Sequence, residues 1–195
     1  MKNNKQLVSV GLLILFAALT RLFPHYPNFT AIGAIAIFGG TVIKDKKLAI
    51  LLPLAALFIS DIILQLLSSS LPLAWSVKGF YGKGQFFVYG SFVLIAWLAT
   101  FIKKKNVINI AFAGIWSGVL FFLVSNFGEW LFSTLYPRTI AGLMEGYIAA
   151  LPFYNGDIFG SFFLNTILGN LFFLAVLFGA YSLVIKPAYS KEVAA

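Results

Sequence analysis

Six apolar runs dominate the chain, each closed by a polar or basic cluster: 6–23, 28–43, 48–68, 85–102, 106–132 and 158–185. A membrane strand would need about ten residues of alternating polarity, and these runs are continuous, so each predicts a helix. About 20 apolar residues make one crossing of the hydrocarbon. The pattern therefore predicts an all-α integral membrane bundle of six transmembrane helices, forming a single domain over 1–195. The first run follows a short basic head, MKNNK, which is how a secretory signal begins. No clear A-x-A cleavage site follows, so the run is expected to stay as a helix. A polar loop lies at 69–84 and a longer one at 133–157.

Composition supports this reading. The chain is 61% hydrophobic and 10% charged, whereas a soluble domain is about 25% charged. Six crossings leave no room for a soluble catalytic domain. There is no cysteine and a single histidine, His25. Disulfides and thiolate metal sites are thereby excluded, and no metal or other cofactor is expected. The net charge of +8 does not point to nucleic acid as a partner, because the cations punctuate apolar runs.

Their placement sets an orientation instead. With a cytoplasmic N-terminus, the inner side receives Lys2, Lys5, Lys44, Lys46, Lys47, Lys103, Lys104, Lys105, Lys186 and Lys191. The outer side receives only Arg21, Lys78, Lys83 and Arg138. Basic residues accumulate on the cytoplasmic side of membrane proteins. A multi-pass protein of the inner (cytoplasmic) membrane, with both termini cytoplasmic, is expected.

Candidate chemistry gathers toward the outer side. At about 1.5 Å per helical residue, Asp61 lies roughly 21 Å beyond Lys47, Arg21 roughly 24 Å beyond Lys5, and Glu129 roughly 36 Å beyond Lys105. Arg21 and Asp61 share a depth within a core about 30 Å thick. An ionisable residue there costs at least about 2.5–3.5 kcal/mol and needs a partner or a wet cavity. A structural ion pair between the two is expected; they could also floor a solute pocket. Three stripes each mark one helix face: Asp61, Gln65 and Ser68; Asn126, Glu129 and Trp130; Ser161, Asn165 and Gly169. Such residues can simply hydrogen-bond helix to helix, but three stripes at one level point to a cavity open to the outside. Asp61, Asn126, Glu129 and Asn165 are the candidates for orienting a solute, with Trp130 and Tyr81 for apolar contact. His25 and Asn28, with the 133–157 loop, are candidates for a lid. Ala36-xxx-Gly40 and Gly114-xxx-Gly118 mark close helix packing. No Walker A, HExxH or GxSxG pattern is present, so no enzymatic activity is expected.

The stretch from Arg21 to Thr30, RLFPHYPNFT, followed by Ala31 to Ala36 and Phe38-Gly39-Gly40, resembles a family of bacterial six-helix membrane proteins of unassigned function. So do Ser60-Asp61, Ser125-Asn126-Phe127-Gly128 with Trp130, and the segment from Tyr136-Pro137 through Gly142-Leu143 to Leu151-Pro152-Phe153. That family is in turn similar to the substrate-binding S components of energy-coupling factor transporters. The resemblance implies a subunit that captures a small vitamin-like molecule from outside. A separate transmembrane coupling subunit and ATPases would drive uptake. S components for nickel or cobalt carry a histidine-bearing N-terminal segment, and MKNNK offers none, which disfavours a metal as substrate. A ligand-free accessory or assembly subunit is the alternative, and an intramembrane enzyme using Glu129, Asp61 or His25 in acid–base roles is a further one.

The topology is directly testable because the chain has no native thiol. With Lys104→Cys, an impermeant thiol reagent should label only permeabilised cells; labelling of intact cells from outside would invert the orientation.

Overall fold

The computed structural model describes residues 4–23, 25–70, 79–80, 82–151 and 161–185, and all regular structure among them is helical. Helix α1 (Asn4–Leu19) runs into a 3₁₀ turn, Thr20–Leu22. Then come α2 (Ile32–Val42), α3 (Lys46–Ser70), α4 (Gln85–Ala99), α5 (Val107–Phe132), α6 (Ile140–Ala149) and α7 (Phe162–Ala180). A π-helical turn, Tyr181–Ile185, extends α7.

Helix α2 is the axis. All eleven of its residues are buried, and it touches α1, α3, α4, α5 and α7. A helix apolar all round belongs in an interior, and five of these eleven residues are Gly or Ala. Three glycines admit three different neighbours. A Cβ at Gly33 would run into the Asn170 side chain of α7, one at Gly39 would lie 2.6 Å from the Pro53 ring of α3, and one at Gly40 would meet the Ala96 carbonyl of α4. Phe38 fills the remaining side, edge-on to Phe178 at 5.2 Å and to Tyr181 at 5.8 Å. Pro53, inside α3, forfeits one backbone hydrogen bond but supplies the surface that Gly39 receives.

Internal packing also uses the second small-residue motif. Gly114 and Gly118 of α5 face α7, where added Cβ atoms would lie 3.0 Å from Leu174 and 2.7 Å from Ile167. Asn170 Nδ2 donates across this seam to the Gly114 carbonyl (3.2 Å) and to Ser117 Oγ (3.0 Å).

The helices differ from the predicted six crossings in two respects. Among the described residues, four stretches are long and apolar enough to cross a membrane: Asn4–Leu22, Lys46–Ser68, Val107–Phe132 and Phe162–Ile185. Helices α2 and α4 are shorter apolar helices. Residues 28–31, predicted helical, form a loop in which Asn28 takes a left-handed φ of 62°, and α4 stops at Ala99 rather than at 102. The second difference is α6, which lies within the predicted 133–157 loop. Thr139 caps it by accepting from Gly142 N–H at 3.1 Å. Ile140, Met144 and Ile148 form one exposed apolar face of α6, at 79%, 51% and 68% exposure. Ten residues are too few to cross, so that face suits a helix lying along a membrane surface. Elsewhere Val107, Ile108, Phe86, Phe112 and Leu183 are also exposed, which lipid would cover.

The glycine fit of α2 makes a sharp expectation. Gly40→Ala overpacks the α2–α4 contact at a cost of about 1–3 kcal/mol, or about 2–12 °C of melting temperature for a chain of this size. Gly11→Ala and Gly90→Ala, with open space around the new methyl group, should leave melting unchanged or raise it slightly. Equal behaviour of all three would remove close packing as the reason for glycine at position 40.

Candidate functional site

At the end of the bundle where α1 and α5 finish and α4 and α7 begin, a buried carboxylate gathers three donors. Asp61 is 2% exposed. It accepts from Arg21 Nη1 at 2.6 Å, from Tyr89 Oη at 2.6 Å and from Gln85 Nε2 at 3.3 Å. Arg21 Nη1 also donates to Ser60 Oγ at 2.8 Å. Gln85 Nε2 reaches the Gly79 carbonyl at 3.1 Å as well. Three elements, the 3₁₀ turn after α1, α3 and α4, are thereby joined at one point. Burying an ion pair is tolerable only when further hydrogen bonds satisfy it, and here the carboxylate has three donors.

Beside this cluster lies a cavity of about 600 Å³, within the usual range for small-molecule sites. Its apolar wall is Val88, Phe121, Phe122, Phe162, Phe163, Pro27 and Ala150. Its polar groups are Arg21, His25, Asn28, Thr30, Ser125, Asn126, Glu129 and Thr166. Phe122 and Phe163 pack with ring centroids 4.9 Å apart, fixing two walls of the cavity against each other.

Several of these polar groups turn a donor back onto the protein. Ser125 Oγ donates to the Phe121 carbonyl at 2.7 Å, Thr166 Oγ1 to the Phe162 carbonyl at 2.8 Å, and Asn126 Nδ2 to the Phe122 carbonyl at 2.8 Å. His25 Nδ1 lies 2.8 Å from the Tyr26 carbonyl. A carbonyl only accepts, so Nδ1 is the donor of this contact. What remains on the two hydroxyls and the amide is chiefly acceptor oxygen, with one N–H of Asn126, joined by the exposed Glu129 carboxylate. Arg21 is the guanidinium of the wall, and Asp61 balances its charge.

Of the predicted site residues, Asn126, Glu129, Arg21, His25 and Asn28 come together around this cavity. Asp61, Trp130 and Asn165 are not among its lining residues. Asp61 is occupied by the cluster behind Arg21. Trp130 points away, its Nε1 donating to the Pro137 carbonyl at 2.9 Å and its ring facing Arg138 at 5.8 Å. Asn165 is fully buried and donates to the Pro27 carbonyl at 2.8 Å; with Gly169, which packs on Thr30, it clips the first loop to α7. The α3 stripe likewise serves internal contacts, since Gln65 Oε1 accepts from the N–H of Phe80, in the segment before α4, at 3.3 Å. Only the α5 stripe supplies the cavity. Tyr81 and residues 152–157 of the proposed lid lie outside the described residues. The remainder of that lid is α6, anchored by Tyr147 Oη donating to the Leu123 carbonyl at 2.8 Å.

Sequence reasoning did not anticipate Gln85 and Tyr89 as partners of Asp61, nor Val88, Phe121, Phe122, Phe163 and Thr166 as wall. Gln85 and Tyr89 stand at i, i+4 in an otherwise apolar helix, a spacing that marks one face. The aromatic wall had no such signal, because lipid-facing phenylalanines look the same.

Fold and site together define an apolar helical bundle with a polar-anchored cavity at one end. The chain belongs to DUF6580, a family of unknown function whose model matches residues 1–192. No curated protein matches it, and no solved structure does.

The cluster predicts energetic coupling. Removing one partner of a buried ion pair costs about 3–5 kcal/mol. Arg21→Met and Asp61→Asn should therefore each lower thermal stability in detergent, with the double variant losing far less than the sum. Strictly additive losses would mean that the pair carries no interaction energy.

Proposed function

We propose that the protein captures a small amphipathic solute in this cavity as the binding subunit of an importer. The observation that carries the reading is the cavity's makeup. An aromatic wall is combined with acceptors left over after hydroxyl and amide donors bond to their own helices. A planar or partly apolar molecule bearing N–H or O–H donors, or a cationic amine, complements such a wall; a vitamin-like molecule fits this description. An anion does not, since Glu129 is at the cavity and Asp61 already balances Arg21.

In this reading α2 and α4 complete six crossings, both termini are cytoplasmic, and the cavity faces outward from the inner membrane. The lysine asymmetry supports that orientation. Shielded by its neighbours, α2 need not match the hydrocarbon thickness alone. The loop at 25–30 and α6 flank the cavity and serve as its cover. Nothing in the chain resembles a nucleotide motor, so uptake would draw on a separate transmembrane coupling subunit and ATPases. The reading includes no catalytic step.

The test begins with mass spectrometry of small molecules retained by gently purified protein. Glu129→Gln should weaken retention by about 10- to 150-fold, the worth of one charge-assisted hydrogen bond. Glu145→Gln makes the same charge change at an exposed residue that does not line the cavity and should retain the solute fully, as should Trp130→Phe. Full retention by both Glu129→Gln and Asn126→Ala would exclude this face of α5 from binding. A stable complex with another membrane protein, with no solute ever retained, would favour an accessory subunit instead.

A further inference from the structure

The opposite end of the bundle carries a second recess, of about 400 Å³. It lies where the short helix α2 ends. The helix ends at Val42, and α4 ends at Ala99, whereas α1 on one side and the π-helical extension of α7 on the other continue past them. Gln6 and Tyr181 from those longer elements form part of the wall and are joined by a 3.4 Å hydrogen bond from Gln6 Nε2 to Tyr181 Oη.

Four lysines line the recess, Lys44 from the α2–α3 turn, Lys46 from the start of α3, and Lys103 and Lys105 from the α4–α5 loop, and no carboxylate does among the described residues. The nearby Asp45 is engaged elsewhere, its Oδ1 accepting from the backbone N–H groups of Lys47 (2.8 Å) and Leu48 (3.0 Å) to cap α3. Two helix C-termini, of α2 and α4, face the same space. Each helix end contributes about half a negative charge. Four ammonium groups against roughly one unit of helix-end charge and the Asp45 carboxylate leave an excess of about two, more than capping those helices requires. Burial and the neighbouring Lys44 hold the Lys105 ammonium below its usual pKa. An anion between the two would remove that repulsion.

We propose that this recess binds a phosphate-bearing anion carrying at least two negative charges, supplied by a lipid headgroup. Phosphate is the shared chemistry of a lipid and a free polyanion. The surroundings favour the lipid. Val107, Ile108, Phe101, Val8, Leu183 and Val184 lie at the same end and are all exposed, giving acyl chains apolar surface next to the charges. Lys46 sits 5.1 Å over the Phe101 ring, tying the cationic rim to that surface. Basic recesses between helices at a membrane face are a recognised place for anionic headgroups. The site is independent of the solute cavity at the other end.

The experiment uses full-length protein in zwitterionic detergent, titrated with cardiolipin, with phosphatidylethanolamine and with inorganic pyrophosphate. Bound lipid is read by native mass spectrometry and pyrophosphate by calorimetry. Saturable cardiolipin binding is expected, with little phosphatidylethanolamine retained. Lys103→Gln/Lys105→Gln should weaken cardiolipin binding by about 30-fold, from the attraction of two lysines. Lys47→Gln/Lys104→Gln makes the same charge change at the same end of the bundle, at residues that do not line the recess, and should weaken it less than about threefold. Lys103→Arg/Lys105→Arg should restore binding, which separates loss of the site from loss of the fold. Equal weakening by both glutamine pairs would reduce the effect to diffuse surface charge and overturn the site. Pyrophosphate binding as tight as cardiolipin, or no saturable binding of either, would overturn the lipid assignment.

Discussion

The buried helix α2 is the constraint on which the rest of the molecule depends. Five other helices touch it, and three of these approaches require a missing side chain. Gly33 admits α7, Gly39 admits α3 and Gly40 admits α4. Interiors without water gain little from hydrophobic transfer, so helix association there relies on van der Waals fit. A central helix with glycines on several sides lets several backbones approach at once. The same helix, being short, cannot fill the bundle from end to end. Its N-terminal side opens toward the aromatic cavity through Pro27, Asn28 and Thr30, and its C-terminal side toward the lysine recess through Gly40, Thr41 and Val42. Both recesses thus arise from one difference in helix length.

Polarity is distributed in the same economical way. Asp61 lies behind the cavity wall and holds Arg21, so the guanidinium reaches the cavity with its charge already balanced. Around the cavity, Ser125, Thr166 and Asn126 bond their own helices, which satisfies donors that would be costly to leave unmade in an apolar setting. The wall is thereby given a directional preference without needing a dense cluster of charges.

Much of the architecture was legible in the sequence because periodicity and charge report directly on helices and their ends. The bounds of α5 follow from the apolar run and from Asn106, whose side chain accepts from Asn109 N–H at 2.8 Å. The shared depth of Arg21 and Asp61 was legible too, since two opposite charges in hydrocarbon have few alternatives to meeting. Other features left no readable trace. Small apolar residues such as those of α2 form either a lipid-crossing helix or a buried one, and only neighbours decide which. The short α6 was hidden because its ten residues, IAGLMEGYIA, hold two glycines and a Glu and lie inside a loop with Pro at 137 and 152. Asn165 and Trp130 had the right type and depth for a solute, but type and depth do not fix direction. One turns to the first loop and the other to Pro137.

The Asp61 cluster also has a consequence for how the chain is made. Its members are far apart in sequence: Arg21 precedes Asp61 by 40 residues, and Gln85 and Tyr89 follow Asp61 by 24 and 28. At about 5–20 residues per second, ribosomal synthesis separates Arg21 from its counter-ion by roughly two to eight seconds. During that interval a guanidinium must wait near the headgroups or within the insertion machinery, because hydrocarbon offers it no partner. When Asp61 emerges it can neutralise Arg21, but its second oxygen stays open until α4 arrives with Gln85 and Tyr89. The first three helices therefore cannot reach their final packing before the fourth is synthesised, and the cluster acts as a latch that closes only on a nearly complete chain.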